Sequence, residues 1–449
     1  MNTEESSSSQ ELEEKKPSLR AERCGIASLL SSLRSDHLAS KIDELSTTEA
    51  AASEEIPEEI PENRPLNRKE KRKLQRMQEI DQEVKKKAQE PVEIAEIPTN
   101  LKNTFCDKAT FNSYNAQFGY KSTENNNFVH FSIQNEQGNR ALVASQDRFI
   151  RMYKIDETPE VIWKHNTGNL VLDSCWENSG KGVFSSSKLR PIQLFDTENG
   201  SILGAYNGKD AGDNITAAMS IGQSGSSLIG GFKNKFQIWD IEYTGDAIQH
   251  IKSFDNDYNT GTTGLPMSIT PHPTMPDLFA AGGSSSLVAI YSLKWRNAVS
   301  TIEGSLKGYT NLHFSPDGLK LYASERKGDI HCFDTRMNML TQILKRDMTA
   351  THRTRFSIDK SGRLLFSGTS GGDVIVYDLH EYSEELQPAH VQNVASRCVP
   401  CVDLKGKKLV LCSGERVYPD DKLLGDQDQE ICMDHERSEN SFQIFEIQN

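Results

Sequence analysis

The sequence lacks long hydrophobic runs. Its longest apolar segments have the length of a β-strand, whereas a membrane-spanning helix needs ~20 consecutive apolar residues, so we expect no membrane association. It also lacks the apolar stretch of a secretory signal, because residues 1–10 are polar and include four consecutive serines. We therefore expect a protein that stays inside the cell.

Cysteine is scarce and scattered, with eight residues in a chain of 449. A disulfide framework does not persist in a large intracellular chain, so reduced thiols are expected. Cys398 and Cys401 have a metal-ligand spacing and could form a zinc site with Cys412, Cys432 and His435. The second half of that set has no paired spacing and the first half lies in a strand pattern. Buried core thiols are therefore the favoured interpretation, and we predict no metal and no cofactor.

Enzyme motifs are missing as well. Residues 204–209 (GAYNGK) are one residue short of a phosphate-binding loop, and Asp210 stands where a serine or threonine must hold magnesium. The sequence has no nucleophile elbow, no HExxH pattern and no dinucleotide-binding glycine pattern. We predict that the protein is not an enzyme and has no catalytic residues.

An excess of positive charge is also missing. The formal net charge is -13; residues 1–100 hold 22 acidic and 16 basic side chains, and the remainder holds 42 and 35. A nucleic-acid-binding domain usually carries a broad basic footprint. If this chain binds RNA, the sequence therefore predicts a local patch of cations and a selective interaction.

Residues 1–102 are predicted to be a charged and largely disordered tail. The first 63 residues are rich in Ser and Glu and contain too few apolar side chains to offset chain entropy. Helix-forming residues dominate at about 66–89, where acidic and basic side chains alternate at helical spacing. The core of this basic helix, residues 68–76 (RKEKRKLQR), is a candidate nuclear-import signal or phosphate-contacting arm, with a merely solvated helix face as the alternative.

From residue 103 onward the sequence has an all-β rhythm. Short strands rich in Val, Ile, Tyr and Phe alternate with Gly, Asn, Asp and Ser. Seven of these strands end in an aromatic residue, and successive aromatics are separated by 42, 44, 52, 42, 44 and 68 residues. A period of about 40–45 residues is the signature of propeller blades. The aromatics are Tyr153, Phe195, Trp239, Tyr291, Phe333, Tyr377 and Phe445.

A second sequence feature, a tight turn, recurs together with these aromatic residues. Six of the seven units contain a tight turn with glycine upstream of the aromatic, at Gly138, Gly180, Gly225, Gly318, Gly362 and Gly406. In these turns glycine supplies a positive φ. The fourth unit has residues 271–277 (PHPTMPD) instead. The recurring aromatics and glycine turns together predict a seven-bladed β-propeller over residues 103–449. An acidic loop insertion is predicted at 420–439.

The units resemble the WD-repeat superfamily, most clearly at residues 314–318 (FSPDG) and at Trp239 with Asp240. In that superfamily a repeat ends on the third strand of a blade, and the next stretch of chain supplies the outer strand. The last repeat reaches Ile447, so its outer strand must come from elsewhere. Residues 103–121 are the candidate, and their pairing would close the ring without an exposed edge.

A closer resemblance covers most of residues 125–420. Six runs are similar to the telomerase Cajal body protein family: 172–176 (LDSCW), 191–196 (PIQLFD), 214–218 (NITAA), 325–329 (ERKGD), 366–372 (FSGTSGG) and 413–419 (SGERVYP). The resemblance implies a scaffold that binds the Cajal body box of small Cajal body RNAs, with telomerase RNA as a further candidate. It also implies ribonucleoprotein and Cajal body proteins as partners, and a nuclear location in Cajal bodies with some protein in the cytoplasm. A non-local β-topology of this size further predicts folding with the help of the cytosolic chaperonin.

Four cations are the candidate RNA-binding residues: Arg326, Lys327, Arg353 and Arg416. They lie in predicted loops, and the resemblance implies that all four match motif positions of the family. They also have the charge that phosphates require. The competing interpretation is a surface salt bridge or a hydrogen bond between blades. The alternative function is a generic WD-repeat scaffold for protein–protein interactions that makes no contact with RNA.

Overall fold

The computed structural model describes residues 96–112, 127–326, 328–349, 353–414 and 440–448. These residues form a β-propeller of seven blades, so the predicted all-β fold is confirmed. One short helix, α1 (Ala109–Asn112), accompanies the strands. Within the described ranges no helix is long and apolar enough to cross a membrane. The predicted basic helix at 66–89 and the acidic insertion at 420–439 lie outside them, and the division into tail and propeller stays a prediction.

Each blade is an antiparallel sheet of four strands, which follow one another from the propeller axis outward. Blade 1 contains β2 (Val129–Gln134), β3 (Arg140–Ser145), β4 (Phe149–Lys154) and β5 (Glu160–Asn166). Blade 2 contains β6 (Val171–Trp176), β7 (Gly182–Ser187), β8 (Ile192–Asp196) and β9 (Ile202–Asn207). Blade 3 contains β10 (Ser220–Ser224), β11 (Ser227–Phe232), β12 (Lys235–Asp240) and β14 (Gln249–Lys252).

The remaining blades follow the same order. Blade 4 contains β17 (Pro266–Pro271), β18 (Leu278–Gly283), β19 (Leu287–Ser292) and β20 (Asn297–Glu303). Blade 5 contains β21 (Tyr309–Phe314), β22 (Lys320–Glu325), β23 (Ile330–Asp334) and β24 (Met339–Leu344). Blade 6 contains β25 (Ser357–Ile358), β26 (Leu364–Gly368), β27 (Asp373–Asp378) and β29 (His390–Asn393). Blade 7 contains β30 (Cys401–Lys405), β31 (Lys408–Ser413), β32 (Ser441–Gln448) and β1 (Asn100–Asp107).

Four short strands supplement the blades. β13 (Gly245–Asp246) pairs in parallel with β9, and β28 (Glu385–Leu386) pairs in parallel with β24. β15 (Phe254–Asp255) and β16 (Thr260–Gly261) form a hairpin between blades 3 and 4. The core lies between the blades, because the second strand of every blade is buried over nearly its whole length. Such burial on both faces favours the apolar and small residues that these strands contain.

All six predicted glycine turns are present. Their glycines have φ angles between +55° and +75°, a region that side chains with a Cβ atom rarely adopt. In blade 4 a histidine replaces this device: the Nδ1 atom of His272 accepts hydrogen bonds from the backbone amides of Thr274 (3.3 Å) and Met275 (3.1 Å). The missing glycine of the fourth unit therefore has a local substitute.

The ring closes as the sequence predicts. β1 pairs antiparallel with β32, from Asn100 opposite Gln448 to Asp107 opposite Phe442. The strand begins three residues before the predicted segment 103–121. Leu101 is buried, and the side chain of Gln392 in blade 6 donates to its carbonyl (2.9 Å) and accepts from its amide (2.7 Å). The first described strand is thus held by both the last strand and the neighbouring blade.

Side-chain hydrogen bonds join every blade to the next near the outer rim. At six junctions a polar side chain of the outer strand donates to the following blade, and at the seventh Lys408 of β31 does so. The bonds are Trp163 to Thr197 (3.0 Å), Tyr206 to Ile241 (2.7 Å), Gln249 to Leu293 (2.8 Å), Ser300 to Asn338 (2.7 Å), Gln342 to Glu381 (3.1 Å), Gln392 to Leu101 (2.9 Å) and Lys408 to Ile155 (2.9 Å).

Removing residues 96–107 should cause aggregation, because it leaves the edge of β32 unpaired. A milder change, Leu101→Ala, should lower the free energy of unfolding by about 2–5 kcal/mol. Size-exclusion chromatography with light scattering and a thermal melt measure the two effects. Deletion of residues 1–63 is the control and should change neither. A monomeric protein with an unchanged melting temperature after removal of 96–107 would contradict the role of the closure.

Candidate nucleic-acid interface

The propeller has two chemically different faces. One, which we call the connection face, carries the hairpins between the second and third strands and the links from one blade to the next. Its hairpins in the first six blades are residues 146–148, 188–191, 233–234, 284–286, 326–329 and 369–372. The other, which we call the turn face, carries the first-to-second and third-to-fourth strand turns, including the six glycine turns.

The two predicted RNA-binding residues that the structure describes, Arg326 and Arg353, belong to segments of the connection face. Arg326 and Lys327 follow β22, Arg353 lies in the link from blade 5 to blade 6, and Arg416 follows β31. Lys327 and Arg416 are outside the described residues. Arg326 is exposed, and its backbone amide donates to the carbonyl of Gly308 (3.0 Å). Its charged side chain therefore projects from a hairpin whose backbone is anchored.

The neighbouring Arg346 braces that hairpin. Its guanidinium is buried and donates to the Gly328 carbonyl (2.8 Å), the Ser324 hydroxyl (2.9 Å) and the Ser367 hydroxyl (3.2 Å). Its backbone amide donates to Asp329 Oδ1 (2.9 Å). Burial lowers the pKa of Arg346 to about 10, so it remains charged at neutral pH. A fixed internal cation thus holds the hairpin that presents Arg326.

Arg353 lies inside the propeller rather than on its surface. Its Nε donates to the Thr310 carbonyl of blade 5 (3.1 Å) and its Nη1 to the Leu172 carbonyl of blade 2 (3.2 Å). Nη1 also lies 3.4 Å from the Met219 carbonyl, next to blade 3, and Nη2 pairs with Asp173 (3.2 Å). This geometry supports the alternative of a hydrogen bond between blades. The direct RNA contact of Arg353 stays a prediction.

Asp173 is the centre of a buried charge network that crosses the propeller axis. Its carboxylate pairs with Arg353 and with Arg355 (2.6 Å), and it accepts the backbone amide of Ile221 (2.9 Å). The guanidinium of Arg355 also lies 4.1 Å from the ring centroid of Phe131 in blade 1. Burial lowers the pKa of Arg353, while the charge of Asp173 acts in the opposite direction. Sequence reasoning did not identify Asp173 as a partner, although the acid stands out in the inner strand 172–176.

Sequence reasoning also missed several cations on the connection face. Arg148, Lys188, Arg190 and Lys233 are exposed in the hairpins of blades 1, 2 and 3. A signal for two of them exists in the repeat, because Arg148 and Arg190 each stand five residues before the aromatic of their unit. Aligning the repeats on hairpins as well as on strands would have found them.

The two cysteines of the CxxC pattern have different neighbours. Cys398 packs against the Met348 sulfur (4.0 Å), whereas Cys401 donates to the Ser132 carbonyl (3.2 Å). Burial raises the pKa of the Cys401 and Cys412 thiols. Among the described residues no group of three or more His, Cys, Asp or Glu side chains could hold a metal ion. The other proposed zinc ligands, Cys432 and His435, lie outside those residues.

Asp173→Asn should destabilise the propeller by about 3–5 kcal/mol, because it leaves two buried arginines without their charged partner. The matched control is Glu198→Gln, which breaks the exposed Arg140–Glu198 pair (2.7 Å) and should cost less than about 1 kcal/mol. Chemical denaturation of both variants measures the difference. Equal stability of the two variants would show that the network contributes no more than a surface ion pair.

No family model matches this chain. The chain is 26% identical to Telomerase Cajal body protein 1 of Mus musculus over 334 residues, which cover 68% of this chain and 62% of the relative. It is 25% identical to the Homo sapiens protein of the same name over 339 residues, with coverages of 69% and 61%. A guanine nucleotide-binding protein subunit beta of Oryza sativa subsp. indica is 26% identical over 183 residues, with coverages of 39% and 47%.

These matches agree with the fold. The chain spans about 62% of the length of the first of these relatives, and the rice protein matches a shorter part of the chain. The seven blades, the sequence repeats and the matches to Telomerase Cajal body protein 1 all support a WD-repeat propeller. The resemblance of this WD-repeat propeller to the telomerase Cajal body protein family, predicted from its motifs, is thereby confirmed.

Proposed function

We propose that this chain is a non-catalytic scaffold that binds the Cajal body box of small Cajal body RNAs and directs the ribonucleoprotein to Cajal bodies. Telomerase RNA is a further ligand in this proposal. The names of the relatives connect them with telomerase and with Cajal bodies. The proposed partners are ribonucleoprotein and Cajal body proteins, with the cytosolic chaperonin assisting folding. The proposed location is the nucleus, with some protein in the cytoplasm.

One observation carries the proposal: four hairpins of the connection face present exposed cations. Blades 1, 2, 3 and 5 each present a lysine or arginine in the hairpin after the second strand, among them Arg326. The third-to-fourth strand turns of blades 1, 2 and 3 present the exposed glutamates Glu157, Glu198 and Glu242 on the turn face. These four hairpins therefore present exposed cations on an acidic protein. Phosphates and unpaired bases of RNA loops are recognised by such groups.

A second candidate function rests on the turn face. Large apolar side chains are exposed in the third-to-fourth strand turns of four consecutive blades: Tyr243, Trp295, Met337 and Tyr382. Exposed aromatic residues and methionine are enriched where proteins bind proteins. This observation favours the generic protein-binding scaffold. The two functions use opposite faces, so one molecule can carry both.

Reversing the charge of Arg326, Lys327 and Arg416 to glutamate should abolish binding to small Cajal body RNAs. Each charge-assisted contact contributes roughly 1.5–3 kcal/mol, so the affinity should fall by at least about a hundredfold. Crosslinking in cells followed by sequencing of the bound RNA measures the loss. The control reverses three exposed cations of the turn face, Lys181, Lys294 and Arg296, and should retain binding.

Arg353→Glu belongs in a separate sample, because its buried contacts predict a lower melting temperature. A triple variant that keeps its melting profile and still retrieves the same RNAs at unchanged affinity would contradict the proposed surface. If the wild-type protein retrieves no small nuclear RNA, the protein-binding scaffold becomes the better description.

A further inference from the structure

Two neighbouring hairpins of the connection face share one turn hydrogen bond. In blade 1 the amide of Arg148 donates to the Ser145 carbonyl, and in blade 2 the amide of Arg190 donates to the Ser187 carbonyl, both at 3.2 Å. Each turn contains one non-glycine residue in the left-handed region, Arg148 at φ +66° and Leu189 at φ +59°. Such backbone conformations persist only where the surrounding structure imposes them. The repeat therefore places an arginine at the same point of both hairpins.

Both arginine side chains lie next to Gly168. Arg148 Nη1 lies 3.4 Å from the carbonyl oxygen of Gly168, which is in the link between the two blades. The guanidinium of Arg190 lies against the Gly168 α-carbon so closely that a Cβ atom there would be 2.7 Å from Arg190 Nη2. Gly168 has φ +75°, a second reason for glycine at this position. The absence of a side chain at Gly168 leaves room for the Arg190 guanidinium.

The positive charge of the blade 2 hairpin is not neutralised by acids of the described chain. Lys188 and Arg190 form no ion pair with any residue that the structure describes. Asp147, the acid of the neighbouring blade 1 hairpin, is buried and pairs with Arg151. Burial lowers the pKa of His165, and the positive charge of Arg190 lowers it further. Lys188 and Arg190 therefore give the hairpin of blade 2 a local excess of positive charge.

We propose that Arg148 and Arg190 form a clamp for the phosphate backbone of single-stranded RNA, with Lys188 at its rim. The inference rests on the proposed function and adds a contact on blades 1 and 2, apart from Arg326 on blade 5. Guanidinium groups match the geometry of phosphate oxygens better than ammonium groups do. Leu189, which is 67% exposed between Lys188 and Arg190, offers an apolar surface to a sugar or base. An RNA loop that binds Arg326 on blade 5 then extends across the connection face to the clamp on blades 1 and 2.

The turn face supplies a matched control for the clamp. Residues 294–296 (KWR) repeat the pattern of 188–190 (KLR), with an exposed apolar residue between two exposed cations. Arg296 also has a positive φ, +60°. A Lys294→Gln/Arg296→Gln variant therefore removes the same charge as Arg148→Gln/Arg190→Gln, but from the opposite face.

Fluorescence anisotropy with the full chain tests the clamp. Two labelled probes are used across a series of salt concentrations: a uridine 12-mer and a hairpin RNA with the Cajal body box in its loop. Arg148→Gln/Arg190→Gln should bind both probes roughly tenfold more weakly, and the slope of log affinity against log salt should become shallower by about 1.4, as expected for two lost phosphate contacts. The control variant should match the wild type. Arg148→Lys/Arg190→Lys should keep the salt slope and lose roughly threefold in affinity.

The outcomes separate the clamp from the proposed function. The clamp is wrong if the glutamine variant, with an unchanged melting temperature, binds both probes like the wild type, or if the control loses as much affinity. If the glutamine variant has a lowered melting temperature, the lysine variant provides the test instead. Wild-type affinity of the lysine variant would then overturn the clamp geometry. If the wild type binds the box hairpin no better than the uridine 12-mer, the proposed recognition of the box is wrong. The clamp is still supported in that case if the glutamine variant loses affinity for both probes and the control variant does not. Absence of binding to either probe overturns both.

Discussion

The pairing of β1 with β32 is the constraint on which the rest of the structure depends. A blade is stable only if both of its faces are covered, and in a ring every blade is covered by its two neighbours. Blade 7 receives three strands from one end of the described chain and its outer strand from the other. Without that strand, the last sheet would present an unpaired edge. The hydrogen bonds at the outer rim and the burial of the second strands both require the closed ring.

Closure also determines what happens at the axis. Seven inner strands are brought close enough for one carboxylate, that of Asp173, to bind arginines from the link before blade 6. A buried ion pair stabilises little over an apolar core of the same shape, yet losing one partner is costly. The network therefore makes the relative placement of blades 2, 3, 5 and 6 specific. It also supports the base of the connection face, where the candidate RNA-binding residues lie.

The same type of side chain has two roles on that face. Arg346 is buried and Arg353 is half-buried, and their donors are bound to backbone carbonyls, hydroxyls and the Asp173 carboxylate. Arg326 and Arg190 are exposed at hairpin tips. The buried arginines hold the hairpins and the exposed ones face solvent, so the face combines rigid positioning with accessible charge. The apolar residues of the turn face leave the opposite side suited to protein partners.

The sequence by itself determined the repeat and its closure. The spacing from Tyr153 to Phe445, the glycine turns and the need for an outer strand follow from local rules of strand and turn formation, which act over a few residues. Only the tertiary structure decided which charges meet. Asp173 and Arg353 are 180 residues apart, and Arg148 and Arg190 each lie next to Gly168 in the link between two blades. These contacts depend on the number of blades and on the curvature of the ring, which no local pattern contains.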